Sequence, residues 1–342
     1  MDQSALENEL LKMATGHQVA AAIYFVTVNR IPDLLEDGPR TAEEIASAVG
    51  LPPRSVFRLL RAMTTSGIFH LEKGKFSLTE TSELLRTNHE RSQRSKILTA
   101  ASDLDVWSRL GEAIELEDAI PDVKKDFYLE WGKDEDPIEI FDQAMRSYYF
   151  DAPATHADTY DFSGINTLVD IAGGDGGHLI DVLKQYPDMK GILFEQPETA
   201  ERAQEYIREA GLSDRCTSVG GDFFKADTIP DKGDAYMMRN IMHLWSDESC
   251  KQLLTNITTQ MSKDARILVL EQKLPSKDEE INKSVEHWGV SGAWWDMTML
   301  LWFGGAERTV EEFKTLYASA GLELVNVVEG ELDTLLYEGR KV

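Results

Sequence analysis

The segment LVDIAGGDGGH, Leu168–His178, carries a β-rich run through a glycine-rich turn into a helical pattern, and no other stretch constrains the fold as much. It opens a regular alternation. Strands are expected at Thr167–Ala172, Gly191–Glu195, Thr217–Gly221, Ala235–Arg239 and Ile267–Gln272. Helical patterns lie between them; in His178–Tyr186, Leu179, Val182, Leu183 and Tyr186 share one face. Such alternation specifies an α/β fold with a mostly parallel sheet. The end of the chain departs from it. Glu323–Val328 and Thr334–Tyr337 flank Glu329-Gly330-Glu331, which is an antiparallel hairpin signal. The α/β domain is expected over residues 161–342.

Residues 1–160 read differently, as a mainly helical domain. Leu10–Val28 is nearly uncharged and apolar on most faces, so it must be buried in a core or against a second chain. Thr41 is the expected N-cap of the next helix, with Glu44 as its capping-box partner. Gly50 ends that helix and Pro52-Pro53 restart the chain, with Leu59, Leu60 and Met63 on the inner face of the helix that follows. Phe69–Leu78 alternates around Lys73-Gly74 as a hairpin would. Helix, turn, helix and hairpin make a winged-helix pattern. A further helical stretch, Ser92–Phe150, contains Asp103–Leu116 and Ile138–Phe150, separated by charges around Lys133–Asp136.

Composition excludes several function classes. The net charge of −25 repels nucleic acid, anionic membrane and polyphosphate ligands, and suits a soluble surface or a neutral or cationic ligand. The two cysteines, Cys216 and Cys250, form no metal-ligand spacing, so neither a metal site nor a disulfide framework is expected. The N-terminal MDQSALENELLKM lacks a signal-peptide core and no apolar run approaches membrane-spanning length. A cytoplasmic protein is expected.

Glycines in the turn let a ligand approach the backbone at a helix N-terminus. Ala172-x-Gly174-x-x-Gly177 is a degenerate dinucleotide fingerprint, and Glu195 ends the next strand where a ribose-binding acid belongs. Asp170 argues against a dinucleotide, because a carboxylate there would repel the pyrophosphate. S-adenosylmethionine has no phosphate and carries an ammonium and a sulfonium, for which an acid is an asset. Glu195 can accept from both ribose hydroxyls, and Asp222-Phe223 can bond and cover an adenine.

The strings LVDIAGGDGGH, KGILFEQPE, VGGDFF, MRNIMHLWSDE, ILVLEQ and DMTMLLWFGGAERT occur together and in order. In them the chain resembles the small-molecule, S-adenosylmethionine-dependent O-methyltransferases of the caffeic acid and hydroxyindole class, of bacterial or fungal secondary-metabolism type. The resemblance covers essentially the whole chain. It implies a Rossmann-like methyltransferase sheet, a winged-helix-like N-terminal domain that makes a homodimer and contributes to the substrate pocket, and S-adenosylmethionine as cofactor. It also implies residue roles. His243 matches the family's catalytic base, and Glu271 and Glu307 the two acids flanking it. Asp170, Gly173, Gly174, Gly176, Glu195, Asp222 and Phe223 match cofactor contacts, and Arg239 stands where many relatives have a lysine. Met145, Asp296 and Met299 match the substrate side, on which Trp295 and Trp302 are also candidates. Ala172 replaces the first glycine of the turn, Glu195 replaces the commoner aspartate, and the tryptophan set matches no substrate subgroup.

The chemistry calls for these residue types. A phenol with a pKa of roughly 10 is mostly protonated at neutral pH. A base within hydrogen-bond reach makes its oxygen a better nucleophile. A carboxylate accepting the imidazole's other N–H would orient the ring and stabilise its charged form. Glu271 ends the strand after the one preceding His243, so the two can lie side by side. Glu307 also precedes a helix, Val310–Ala320, capped by Thr309, so helix-start chemistry is an alternative for it. Three other functions compete. One is a same-fold enzyme performing hydroxylation, decarboxylation or pericyclic chemistry. The second is a winged-helix regulator, supported by Arg54, Arg58 and Arg61 but opposed by the net charge. The third is an NAD-linked oxidoreductase, disfavoured by Asp170.

Overall fold

The computed structural model describes residues 3–100, 104–123, 136–150, 160–277, 286–287, 290–330 and 334–342. The chain divides into two compact units. One comprises Met1–Arg109 with Asp126–Asp151, the other Leu110–Lys125 with Ala152–Val342.

In the first unit the apolar run Leu10–Val28 is divided between two helices, Gln3–Ala14 and Gly16–Val28. The break falls at Thr15, whose hydroxyl donates to the Leu11 carbonyl at 2.8 Å and closes the first helix before Gly16 opens the second. The capping box forms as expected: Thr41 N donates to Glu44 Oε2 at 2.7 Å and Glu44 N to Thr41 Oγ1 at 3.2 Å. Gly50, at φ 69, ends that helix. Helix Pro53–Thr65 then buries Val56, Leu60 and Met63, and Leu59 lies at the edge of the same core. The hairpin Phe69–Glu72 and Lys75–Leu78 turns through Lys73 and Gly74, both at positive φ, and Arg40–Thr41 adds a third strand. Of the later helical stretch, the described residues form Arg94–Ala100, Leu104–Trp107 and Pro137–Phe150 in this unit, while Leu110–Leu116 belongs to the second. Asp103 and most of the charged segment Lys133–Asp136 lie outside the described residues.

The second unit is built on a seven-stranded sheet. Its strands are β1 (Thr167–Ile171), β2 (Lys190–Glu195), β3 (Cys216–Gly220), β4 (Ala235–Arg239), β5 (Arg266–Gln272), β6 (Leu322–Glu329) and β7 (Thr334–Lys341). They lie in the order β6-β7-β5-β4-β1-β2-β3. The first five are parallel, and β7 is antiparallel to both β5 and β6. The expected α/β class and the terminal hairpin are both present, although Glu331 lies outside the described residues. Period-two alternation feeds two cores. Val169, Ile171, Tyr236, Met238, Ile267 and Val269 pack on one face, and Leu168, Ala235, Met237, Leu268 and Leu270 on the other. A fully buried aliphatic side chain contributes roughly 1.5–3 kcal/mol, so the central strands anchor the unit.

Strand order reverses between β1 and β4, because β1 continues to β2 and β3 on one side and β4 continues to β5 on the other. Ligands in open α/β sheets bind outside the carboxyl ends at such a switch point. Asp170 and Ala172 leave β1 there, and Arg239 leaves β4. Ala172 adopts φ 57, left-handed backbone that glycine takes without strain, while its N–H donates to Phe194 O at 2.7 Å. Ala172→Gly is therefore expected to stabilise the protein by up to about 1 kcal/mol, a rise in Tm of about 2–4 °C. Scanning calorimetry checks this; a lower Tm would show that the left-handed alanine is not strained.

Candidate active site

The turn after β1 has no room for a side chain at Gly173. A Cβ on Gly173 would meet Asp170 Oδ2 and lie 2.5 Å from Leu193 Cδ1. Gly174 and Gly176 have positive φ, 62 and 82. Gly174 N donates to Glu195 Oε2 at 3.3 Å, so the acid ending β2 already touches the turn. Asp170 lies beneath it, buried, and its Oδ2 accepts no hydrogen bond among the described residues. Burial first, then the Glu195 charge, raises the Asp170 acid to about 8. An orphaned buried carboxylate under a glycine turn fits a ligand that brings a cation. Asp222 uses Oδ1 to accept from Phe224 N at 2.9 Å, which holds its acid below the usual range. Phe223 packs edge-on against Phe224 and Trp245, with ring centroids 4.8 and 5.9 Å apart.

The loop after β4 turns sharply at Asn240, φ 52, and enters a short 3-10 turn, Met242–Leu244. Glu271, near the end of β5, fixes this turn: its Oε1 accepts from Ile241 N at 3.1 Å and Met242 N at 2.8 Å. His243, on the turn, is 4% exposed. Its Nδ1 lies 2.6 Å from Glu307 Oε1 and 3.5 Å from Glu271 Oε2. The acids are 3% and 1% exposed, so little water screens the cluster. Burial alone would lower the His243 pKa, but the charges of Glu271 and Glu307 and the bond to Glu307 outweigh it and push it up to about 9. Burial raises Glu271 in turn, to about 7. Helix Gly292–Phe303 packs alongside; Met299 and Trp302 are buried, Trp295 is partly buried and Trp294 is exposed. Asp296, half-buried on it, accepts from Glu307 N at 2.9 Å.

Residues 119–323 match the O-methyltransferase domain, and residues 11–88 match the O-methyltransferase dimerisation domain. The chain is 31% identical to phenazine O-methyltransferase PhzM of Lysobacter antibioticus, over 98% of this chain and 97% of that protein. The chain belongs to the O-methyltransferase family. Among solved structures, mitomycin 7-O-methyltransferase MmcR superposes with a TM-score of 0.86 at 30% identity, covering 99% of each chain. The O-methyltransferase NcsB1 of neocarzinostatin biosynthesis, solved with S-adenosylmethionine and 2-hydroxy-5-methyl naphthoic acid, gives 0.82 at 27% identity, over 95% of this chain and 96% of that one. The protein is an S-adenosylmethionine-dependent O-methyltransferase.

Within this methyltransferase the division of labour between the two acids differs from the expectation. Glu271 was expected to take the ring N–H, but Glu307 makes the short contact and Glu271 mainly holds the backbone of the turn. Helix-start chemistry falls instead to Thr309 and Glu312, which form their own capping box. Asp296, expected on the substrate side, bonds the Glu307 backbone. Met145 sits partly buried on Pro137–Phe150 of the first unit, whereas the residues assembled above all belong to the second. Sequence reasoning passed over His178, whose Nδ1 lies 3.2 Å from Arg239 Nη1. Its place directly after the glycine turn was the available signal. The donor atoms of His243, Glu271 and Glu307 all fall within 4.8 Å of one another, close enough to consider a cation. Two ligands at roughly 2.1 Å from one metal stand about 3 Å or more apart. The 2.6 Å between Nδ1 and Oε1 is instead a charge-assisted hydrogen bond. Among the described residues no helix is long and apolar enough to cross a membrane.

Proposed function

We propose that the enzyme methylates a phenolic or enolic hydroxyl of a small aromatic or polyketide-like metabolite, with His243 as general base. The observation that carries this is the buried His243 imidazole held through Nδ1 by Glu307 at 2.6 Å. Glu307 Oε1 accepts a hydrogen bond from Nδ1–H, which leaves Nε2 as the nitrogen that takes the acceptor's proton. Glu271 adds its charge and fixes the turn, so the ring is presented in one orientation. The relatives' own substrates support the substrate class, being named as phenazine, mitomycin and a hydroxynaphthoic acid. The net charge of −25 disfavours polyanionic acceptors.

S-adenosylmethionine, when bound, supplies the methyl group as an electrophile. Asp170, Gly173, Gly174, Gly176, Glu195, Asp222, Phe223 and Arg239 would hold it. Asp170 offers a buried carboxylate for a cationic group, and Glu195 an acid at the turn for the ribose hydroxyls. Met299 and Trp302 are buried on the helix beside the His243 turn, and Trp295 of the same helix would face the acceptor. The first unit makes a cytosolic homodimer through Gln3–Ala14, whose Leu6, Leu10, Leu11 and Met13 are exposed. Light scattering should give twice 38.5 kDa; a single-chain mass would refute the dimer.

A panel of phenols, enols and aryl amines incubated with labelled cofactor tests the function. Labelled ether and S-adenosylhomocysteine are expected from phenols or enols. Methylation of amines alone, or product without S-adenosylhomocysteine, would overturn it. Cofactor binding is also expected to release protons at pH 7. The Asp170 acid, at about 8, is mostly protonated alone and ionises when a cation is brought against it. Calorimetry in two buffers of different ionisation enthalpy reads the release, and Asp170→Asn should diminish it; buffer-independent heats would contradict the assignment.

A further inference from the structure

Arg308 follows Glu307 directly and is 4% exposed. Its guanidinium is spent on the loop that carries His243. Nη1 donates to Met242 O at 3.0 Å and Nη2 to Trp245 O at 2.7 Å, so it grips the carbonyls on both sides of the histidine turn. Nη1 also donates to Ala306 O at 3.0 Å, and Nε to Asp247 Oδ1 at 2.8 Å. A second feature joins the same two segments. A Cβ on Gly305 would strike His243 O and lie 2.6 Å from Leu244 C and 2.8 Å from Trp245 N, so the two backbones are in direct contact. Two adjacent residues thus hold the histidine from different sides, Glu307 reaching the imidazole and Arg308 the backbone beneath it.

We propose that Arg308 is the positioning residue that keeps the His243 turn and the Glu307 loop in register, so that the Nδ1–Oε1 contact stays short. Resting on His243 as the base, the proposal assigns a role that lysine cannot fill. Only a planar fork reaches Met242 O, Trp245 O and Asp247 at once, whereas an ammonium is a point donor on a flexible stem. If the fork is lost the two loops drift, and the acids act less strongly on the ring.

The test is Arg308→Lys, alone and with Glu307→Gln, beside His243→Ala. In otherwise wild-type enzyme Arg308→Lys is expected to lower kcat by about 10–100-fold, the usual scale for a misplacement near 1 Å, with KM for the cofactor unchanged. The acidic limb of the kcat–pH profile should move to lower pH, because the acids then raise His243 less. With Glu307→Gln already present, Arg308→Lys should cost less than about 3-fold more, since the charge that the short contact brings to the ring is gone. A merely structural arginine would give the same loss in both backgrounds and an unmoved limb, and that overturns the proposal. Should Arg308→Lys not fold, Asp247→Ala, at a side chain 83% exposed, removes one anchor of the fork and should move the limb the same way by less. An unmoved limb there overturns it equally. Wild-type kcat in His243→Ala defeats the base and the proposal together. An impaired His243→Ala beside an unimpaired Arg308→Lys defeats the proposal alone.

Discussion

Replacing His243 with alanine is expected to lower kcat by about 10²–10⁴-fold, the range for loss of a general base. Cofactor affinity should be nearly unchanged, because the cofactor residues lie on the β1 turn, at the ends of β2 and β4 and just past β3, and none is on the Met242–Leu244 turn itself. The pH profile sharpens the test. In the cofactor-free protein His243 titrates near 9, so at neutral pH its ring is mostly protonated between Glu271 and Glu307. A bound sulfonium opposes that, and the wild-type kcat limb should therefore fall below 9 and level off above it. The alanine variant should recover part of its rate as pH rises toward the acceptor's own pKa, since ionisation in solution replaces the base. Wild-type kcat at neutral pH would refute the role. A deficit that does not shrink at high pH would mean that His243 positions the acceptor and moves no proton.

Glu307→Gln is expected to lower kcat by about 10–100-fold, the equivalent of losing roughly 1.5–3 kcal/mol from a hydrogen bond to a charged group. Glutamine still accepts from Nδ1 but does not stabilise the imidazolium. It also removes one of the charges that raise His243, so the limb should shift to lower pH and the deficit should be greater at pH 9 than at pH 6. Glu271→Gln should cost about ten-fold or less, because an amide oxygen can keep the bonds from Ile241 N and Met242 N. A larger loss from Glu271→Gln than from Glu307→Gln would reverse the roles assigned from the 2.6 and 3.5 Å contacts.

The same groups set the response of stability to pH. His243, Glu271 and Asp170 are all raised above their ordinary values, to about 9, 7 and 8. Each stabilises the fold fully below its unfolded pKa, roughly 6.5 for His, 4.3 for Glu and 3.9 for Asp, and loses that contribution as pH climbs through the folded value. The Tm of the cofactor-free protein should therefore fall from pH 6 to pH 9, and scanning calorimetry across that range would show a flat or rising Tm if the cluster is not shifted this way.

What the sequence determined by itself was everything specified by neighbours along the chain. The strands β1 to β5 were legible because apolar runs bounded by turns repeat at the right length. The Thr41–Glu44 capping box and the Lys73-Gly74 turn were legible because their hydrogen bonds or dihedrals involve residues three apart or fewer. The glycine turn was found through residue type at a strand end, where the topology of a parallel sheet gathers its ligands, and His243 and Glu271 through the family resemblance of the strings that carry them. Thr15 was a local signal that was outweighed: the uncharged run suggested one helix, and its hydroxyl and Gly16 divided it. The tertiary structure alone decided the contacts between distant loops. Glu307 meets His243 across 64 residues and Arg308 meets Met242 across 66. No periodicity encodes where a loop side chain points. That direction is set when Gly305 packs on the His243 backbone and Asp296 binds Glu307 N, and these approaches exist only once the helices and sheet have docked.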